Sequence, residues 1–180
     1  MRVITGSARG VQLKTPEGMV TRPTTDRVKE AMFSIIHFDI PGAAVLDLFG
    51  GTGQLGIEAL SRGAKSAVFV DAGEPACRLI KENLKRCRME QQGRVVRSDY
   101  LDFLSRSKEQ FDIILLDPPY AEVFLENALK RITEIDILRT NGIIVAERPL
   151  GKELPWEFEG YERTRDYKYG KTLLTIYRKA

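Results

Sequence analysis

Two stretches of this sequence contain candidate binding and catalytic residues, and the first spans residues 44–56 (AVLDLFGGTGQLG). An apolar run that contains Asp47 leads into a glycine-rich turn, and a helix-like apolar stretch follows. Glycines in such a turn let the backbone approach a ligand closely, and the next helix directs its free N–H groups at that ligand. Gly51, Gly53 and Gly56 also fit the G-x-G-x-x-G pattern, which indicates a nucleotide-like ligand without choosing one.

The second stretch is Asp117-Pro118-Pro119-Tyr120, at the end of another apolar run. The prolines stop the hydrogen bonding of a strand and fix a rigid turn, with Pro118 held extended by Pro119. The Asp117 carboxylate and the Pro118 carbonyl are then two acceptors side by side, which suits an amino group attached to a base. Tyr120 supplies a flat face on which a base can stack. An amino nitrogen held in this way needs an electrophile, and the methyl group of S-adenosylmethionine is the one we predict.

Carboxylates also follow the predicted strands. Asp71 stands 20 residues after Gly51, where it could accept both hydroxyls of a ribose. Asp99 could accept a hydrogen bond from an adenine amino group, and Asp47 could help to place the amino-acid end of the cofactor. Each aspartate taken alone could equally be a helix cap or a solvated loop residue. Their occurrence after consecutive strands favours a shared site.

The secondary structure predicted around these residues alternates between strand and helix. Predicted strands and helices follow one another as βα units, which favours a parallel, doubly wound α/β sheet with its ligand at the carboxyl ends of the strands. The last two runs flank Gly170 and Lys171 and predict an antiparallel hairpin at the sheet edge. The predicted strands are 44–49, 67–71, 95–98, 112–117, 143–147, 161–169 and 172–178, and the predicted helices are 53–62, 75–86, a short one around Phe103, and 124–135.

The first 40 residues read as a basic extension of the same domain. Two β-like runs, at residues 2–5 and 11–14, predict a small hairpin, and a helix capped by Thr24 or Thr25 follows. The prediction is one domain over residues 1–180, with a methyltransfer core over 41–180.

Composition narrows the functional classes. The 180 residues are 43% hydrophobic and 29% charged, as in an ordinary soluble protein, and the net charge of +3 gives mild support for a polyanionic partner. We find no run that could span a bilayer, no secretion signal and no cluster with metal-ligand spacing. Cys77 and Cys87 fall in one helix, too far apart for a disulfide, so we expect reduced thiols, a cytoplasmic location and no metal.

Taken together, these motifs resemble those of a known family. Residues 47–53 resemble motif I of class I S-adenosylmethionine-dependent methyltransferases, and residues 117–120 resemble their amino-nitrogen catalytic motif. The whole set is similar to the RsmD family, the 16S rRNA guanine-N2 methyltransferases. The more specific matches are GSARGVQL at residues 6–13, RPTTDRVKEA at 22–31 and YGKT at 169–172.

The resemblance implies a Rossmann-like class I methyltransferase that transfers a methyl group to the exocyclic N2 of a guanine. Its expected partner is 16S rRNA within the assembling small ribosomal subunit, with the enzyme a monomer. The implied catalytic residues are Asp117, Pro118, Pro119 and Tyr120. The implied cofactor contacts are Arg22, Thr24, Asp47, Phe49, Gly50, Gly51, Gly53, Asp71, Asp99 and Tyr100.

Basic residues near the N-terminus are the candidates for contact with RNA phosphates, which attract Lys and Arg whatever the base sequence. They are Arg2, Arg9, Lys14, Arg22, Arg27 and Lys29. Lys168, Tyr169 and Lys171 in the C-terminal hairpin are weaker candidates, because charges there could instead protect a sheet edge.

Three other functions remain open from the sequence. Adenine-N6 or cytosine-N4 methylation of DNA or RNA would use the same motif, since those bases also carry an amino group. An NAD-dependent dehydrogenase would account for the glycines and Asp71 but leaves residues 117–120 without a role. A non-catalytic ribosome assembly factor could retain the cofactor pocket, although an intact Asp117 argues against it.

Overall fold

The computed structural model describes residues 1–18, 23–119, 122–151, 153–154 and 157–180, with the backbone alone described for 23–25 and 122. Helices and strands alternate through the first two thirds of the chain, and the final third is β-rich. The helices are α1 (Pro23–Ile35), α2 (Gln54–Ser61), α3 (Glu74–Arg86), α4 (Tyr100–Arg106) and α5 (Glu122–Ile135). The strands are β1 (Ala44–Asp47), β2 (Ser66–Asp71), β3 (Gly93–Arg97), β4 (Phe111–Leu116), β5 (Leu138–Pro149), β6 (Glu157–Phe158), β7 (Tyr161–Tyr169) and β8 (Thr172–Lys179).

The eight strands form one sheet in the order β3-β2-β1-β4-β5-β8-β7-β6. Strands β1 to β5 pair in parallel, because a helix connects each to the next, whereas β6, β7 and β8 pair antiparallel. The predicted hairpin is confirmed: Tyr169 pairs with Thr172 across Gly170, which has a φ of 60°. The predicted mostly parallel, doubly wound sheet is also confirmed, whereas the short strand β6 was not predicted.

Both faces of the central strands β1, β2 and β4 are buried, as their nearly unbroken apolar runs require, whereas β3 at the edge of the sheet is partly exposed. Alternate strand residues face opposite layers, so Val45 and Ile113 pack with α1, α2 and α3, whereas Leu46 and Ile114 pack with α4 and α5. The two layers hold the carboxyl ends of β1, β2, β4 and β5 in fixed positions between the helices. Among the described residues no helix is long and apolar enough to cross a membrane.

The N-terminal segment forms a narrow hairpin that is fastened to α2. Arg2 and Gln12 form a single antiparallel bridge, which is the predicted hairpin reduced to its minimum. The Ser7 N–H donates to the Ser61 carbonyl at 2.8 Å, and a Cβ on Gly6 would lie only 1.8 Å from that carbonyl oxygen. Gly6 has a φ of 95°, so this close approach requires glycine on both counts.

Helix α1 begins earlier than predicted. It starts at Pro23, so Thr24 and Thr25 lie inside its first turn and not before it, as a cap would require. Proline is well suited to the first position of a helix because its missing N–H has no partner there in any case.

Candidate active site

The turn between β1 and α2 is closed tightly by its own backbone. The Gly50 N–H donates to the Val70 carbonyl and the Gly53 N–H donates to the Gly50 carbonyl, each at 2.8 Å. A Cβ on Gly50 would lie 2.7 Å from the side chain of Ile80, whereas a Cβ on Gly51 would meet nothing within 4 Å. Gly51 has a φ of 58°, so the turn presents bare backbone to open space, where a ligand can approach.

Asp47, the last residue of β1, lies beneath this turn and is 1% exposed. Its Oδ2 accepts a hydrogen bond from the Gly56 N–H at 3.1 Å, which satisfies a free N–H at the start of α2. Burial raises the pKa of Asp47 to about 8, and the nearby charges of Asp117 and Asp71 act in the same direction.

Two buried acceptors near the turn have no partner among the described residues: Oδ1 of Asp47 and Oε1 of Gln54. Unpaired buried acceptors are costly, so a ligand that donates hydrogen bonds at this end of the site would be favoured. A positively charged amino group would supply these hydrogen bonds.

Asp71 ends β2 with both carboxylate oxygens oriented by backbone. Oδ2 accepts from the Gly51 N–H at 3.0 Å and Oδ1 from the Gly73 N–H at 2.9 Å. Each oxygen has a second lone pair, so the carboxylate remains able to accept hydroxyl groups.

Asp99 serves as the cap of α4. Its Oδ1 accepts from the N–H groups of Leu101 and Asp102, at 2.9 and 3.2 Å. The aspartate is exposed, and this capping role is the simpler of the two roles that the sequence allowed.

An aromatic cluster stands beside Asp99. The rings of Phe49 and Tyr100 lie 5.1 Å apart, and Phe124 lies 5.4 Å from Tyr100 and 6.4 Å from Phe49. Phe124 was not predicted to be a site residue, although it lies in the first turn of α5, the helix that follows the Asp-Pro-Pro motif.

Asp117 and Pro118 follow β4 at the same edge of the sheet. Burial raises the pKa of Asp117, and its neighbour across the sheet is Glu147 near the end of β5, a residue that the sequence analysis did not select. Burial and the charge of Asp117 together raise the pKa of Glu147. The signal was available, since Glu147 ends a predicted strand as Asp71 and Asp117 do.

Strand alternation places these four carboxylates on one face. Asp47, Asp71, Asp117 and Glu147 each lie two residues beyond a strand residue that packs with α1, α2 and α3: Val45, Phe69, Leu115 and Val145. The structure therefore brings the predicted aspartates of β1, β2 and β4 together around the glycine turn.

Asn83 connects the glycine turn to the N-terminal segment, and no sequence signal marked it. It is fully buried, and its Nδ2 donates to the carbonyls of Thr52 and Lys14 at 2.9 and 3.0 Å. Its Oδ1 accepts from the Lys14 N–H at 2.7 Å. The N-terminal segment and the glycine turn are thus fixed to the same side chain.

Four of the six predicted RNA contacts are exposed: Arg2, Arg9, Lys14 and Arg27. The prediction for Lys29 is wrong. Its side chain is 1% exposed, and its ammonium donates to the Arg2 carbonyl at 2.7 Å and lies 3.9 Å from the buried carboxylate of Glu58. Burial lowers the pKa of Lys29, and no phosphate can reach it while the fold is intact.

Three predicted residues cannot be compared with the structure. Arg22 and Tyr120 lie outside the described residues, and so does the side chain of Thr24. Pro119, by contrast, is described and exposed.

The amino ends of the strands lie on the side of the sheet opposite to the glycine turn. A cavity of about 230 Å³ opens at the amino ends of β1 and β4, beside Asp39 and Asp112. These carboxylates already pair with Arg178 and Arg139, so the cavity offers no unpaired charge. Across the described part of the chain, no group of three or more His, Cys, Asp or Glu residues is placed to hold a metal ion.

Comparison with known proteins gives consistent matches along the whole chain. The family model described as conserved hypothetical protein 95 matches residues 1–178. "Putative rRNA methyltransferase YlbH" of Bacillus subtilis is 43% identical over 99% of both chains. Ribosomal RNA small subunit methyltransferase D of Haemophilus influenzae is 37% identical, over 86% of this chain and 81% of that protein. The solved structure of "Putative methyltransferase yhhF" from Escherichia coli has a TM-score of 0.90 and 28% identity, covering 99% of this chain and 97% of its own.

Proposed function

Because the chain belongs to the RsmD family, the one whose model is described as conserved hypothetical protein 95, we propose that it methylates ribosomal RNA. In its finer form, the proposal is transfer of a methyl group from S-adenosylmethionine to the exocyclic N2 of one guanine in small-subunit rRNA. The resemblance predicted from the sequence and the class I methyltransferase fold are both confirmed by the matches. We expect the reaction in the cytoplasm, on the assembling small subunit, by a monomer.

The observation that carries the proposal is the meeting of Asp47, Asp71 and Asp117 around the glycine turn. Each comes from the end of a different parallel strand, and all three lie on one face of the sheet. Ligands of doubly wound sheets bind at this edge. A dehydrogenase would use the turn and Asp71 but would leave the Asp-Pro-Pro sequence after β4 idle.

The residues present fit S-adenosylmethionine. Asp47 Oδ1 and Gln54 Oε1 would accept hydrogen bonds from its amino group, and Asp71 would accept them from its ribose hydroxyls. The open space beside the backbone of Gly51 leaves room for the cofactor. We assign the adenine to the region of Asp99, Phe49 and Tyr100. When bound, this cofactor supplies a methyl group on a positively charged sulfur, and that carbon–sulfur bond breaks with its electron pair going to sulfur as a nitrogen–carbon bond forms.

In the reaction, residues of the chain orient the target amino group and accept its hydrogens. Asp117 and the Pro118 carbonyl accept the two hydrogens of the target amino group, so that the nitrogen lone pair is directed at the methyl carbon. As positive charge develops on that nitrogen, Asp117 stabilises it and takes up the proton that is lost. Burial of Asp117 raises its proton affinity, which suits this step. A paired base cannot reach the site, so the target must be unpaired or flipped out.

The test is transfer of labelled methyl from S-adenosylmethionine, followed by nucleoside analysis of the product. Unmodified small subunits, naked rRNA and duplex DNA serve as acceptors in parallel. N2-methylguanosine from subunits supports the proposal. Label in adenine, cytosine or DNA would retain a methyltransferase with a different acceptor. Cofactor binding with no label in any acceptor would favour the assembly-factor reading.

A further inference from the structure

Glu147 lies beside Asp117 at the point where the target base must sit. Strands β4 and β5 are parallel, and Leu116 pairs with Ala146. Asp117 and Glu147 are the residues that directly follow this pair, and neighbouring strands of a sheet lie ~4.8 Å apart. By alternation both side chains lie on the face that α1, α2 and α3 cover, and the charge of Asp117 acts on Glu147 directly.

Neither carboxylate has a hydrogen-bond donor. Within the described ranges of the chain, no group donates a hydrogen bond to Asp117 or Glu147, and neither forms an ion pair. Both residues are half-buried. Two adjacent, half-buried carboxylates without donors are unfavourable, and a ligand that brought a row of N–H groups would relieve both.

The bases differ in what stands next to the amino group. In guanine the N2 amino group is adjacent to N1–H, so the edge presents neighbouring donors. In adenine and cytosine the ring nitrogen next to the amino group carries a lone pair and no hydrogen. A hydrogen bond donated by N1–H of guanine favours the ionised form of Glu147 and so opposes the rise in its pKa that burial causes. The ionised carboxylate accepts hydrogen bonds but cannot donate one, so in this form it attracts the guanine edge and repels the other two.

We propose that Glu147 is a specificity-determining residue, which accepts a hydrogen bond from N1–H of the target guanine while Asp117 and the Pro118 carbonyl hold its amino group. The inference rests on the proposed function and adds the reason why guanine is chosen. The contact also has a catalytic consequence. A negative charge at N1–H increases electron density on the adjacent amino nitrogen, which is a weak nucleophile in guanine.

The experiment uses small subunits assembled on transcribed 16S rRNA that carries either guanine or adenine at the position the wild-type enzyme methylates. The measured quantity is the ratio of kcat/KM on the guanine subunits to kcat/KM on the adenine subunits. Glu147→Gln is the test variant, because its amide can donate to the adenine ring nitrogen. Glu162→Gln, on the exposed side of β7, is the matched control.

We expect Glu147→Gln to lower the guanine-to-adenine ratio by about tenfold or more, since a site built to pair an N–H discriminates strongly. Its affinity for S-adenosylhomocysteine should equal that of the wild type, and Glu162→Gln should keep the wild-type ratio. A ratio in Glu147→Gln within about threefold of the wild type would overturn the inference.

Two further results keep the inference and the proposed function apart. If the wild-type enzyme forms no N2-methylguanosine on the guanine subunits, the proposed function fails and the inference fails with it. If Glu147→Gln does not fold, Glu147→Asp takes its place. Because its carboxylate is one methylene shorter, we expect a lower guanine kcat/KM, and an unchanged value would overturn the role of Glu147.

Discussion

The carboxylate of Asp71 is fastened to the glycine turn by the N–H of Gly51, which donates to Oδ2 at 3.0 Å. The other oxygen accepts from the N–H of Gly73 at 2.9 Å, so the carboxylate is oriented by backbone before any ligand binds. The end of β2 and the turn after β1 therefore act as one rigid unit. A ligand that uses both pays less to order them.

We predict that Asp71→Asn weakens cofactor binding by about tenfold or more, because a neutral amide replaces a charged acceptor of ribose hydroxyls. Isothermal titration with S-adenosylhomocysteine measures the dissociation constant directly. Glu159→Gln, which removes an exposed carboxylate in the turn after β6, should leave it unchanged. Equal affinity in Asp71→Asn and the wild type would remove Asp71 from the cofactor site.

Gly51 and Gly170 form a matched pair for a second prediction. Their φ values are 58° and 60°, and a Cβ on either would meet nothing within 4 Å. Changing either to alanine should cost about 1 kcal/mol of folding stability, because L-residues disfavour this conformation. Only Gly51→Ala should also weaken S-adenosylhomocysteine binding, since only there does a ligand approach the backbone. Equal binding by the two variants would show that Gly51 does not contact the cofactor.

The buried Asp47 predicts how stability depends on pH. Burial raises its pKa to about 8 in the folded protein, from 3.8 in the unfolded chain. Between those values the folded state holds a proton that the unfolded state has lost, so the free energy of unfolding falls as pH rises. One such group contributes a slope of at most about 1.4 kcal/mol per pH unit.

Urea unfolding of the cofactor-free protein at pH 5.5, 7.0 and 8.5 checks this sign. The wild type should lose stability across the series, and Asp47→Asn should lose less, because the amide does not titrate. Glu147 and Asp117 act in the same direction, so some slope should remain in the variant. An Asp47→Asn slope as steep as that of the wild type would contradict the account.

Arg27 and Lys29 both lie on α1, but we expect substitution of Arg27 to affect RNA binding and substitution of Lys29 to affect folding stability. Lys29 is buried against Glu58, so Lys29→Met should cost about 3 kcal/mol of stability, as breaking a buried ion pair does. Arg27 is exposed, so Arg27→Ala should leave stability within about 0.5 kcal/mol of the wild type.

RNA affinity should respond in the opposite way. Arg27→Ala should weaken rRNA binding and lower the slope of log K against log salt concentration by about 1. Lys29→Met, measured at a temperature where it is folded, should keep the wild-type slope. Chemical denaturation and filter binding over a salt series measure the two properties. A reduced salt slope in Lys29→Met would mean that its ammonium reaches phosphate after all.

The sheet and the glycine turn were predictable because their signals are local. Strand runs alternate with helical periodicity, and the glycines and Asp117-Pro118-Pro119 are read directly from the sequence. The burial of Lys29 was not predictable, since Glu58 lies far along the chain. That pairing exists only because α1 and the N-terminal segment pack against α2.

The position of Glu147 beside Asp117 could not be predicted from the sequence. The sequence placed it at the end of a strand, but only the register of β5 against β4 brings it next to Asp117. Asn83 gave no signal at all, because an asparagine in a charged helix is typical of a solvated face. Its burial follows from the N-terminal segment that lies over it.

The central claim is that Asp117 acts in methyl transfer and not in cofactor binding. The most direct test is the single-turnover rate of labelled methyl transfer to unmodified small subunits by wild type and Asp117→Ala, with the S-adenosylhomocysteine dissociation constant measured in parallel. We predict a dissociation constant within about twofold of the wild type and a rate lower by about a hundredfold or more. A variant that transfers methyl groups at close to the wild-type rate would contradict the account.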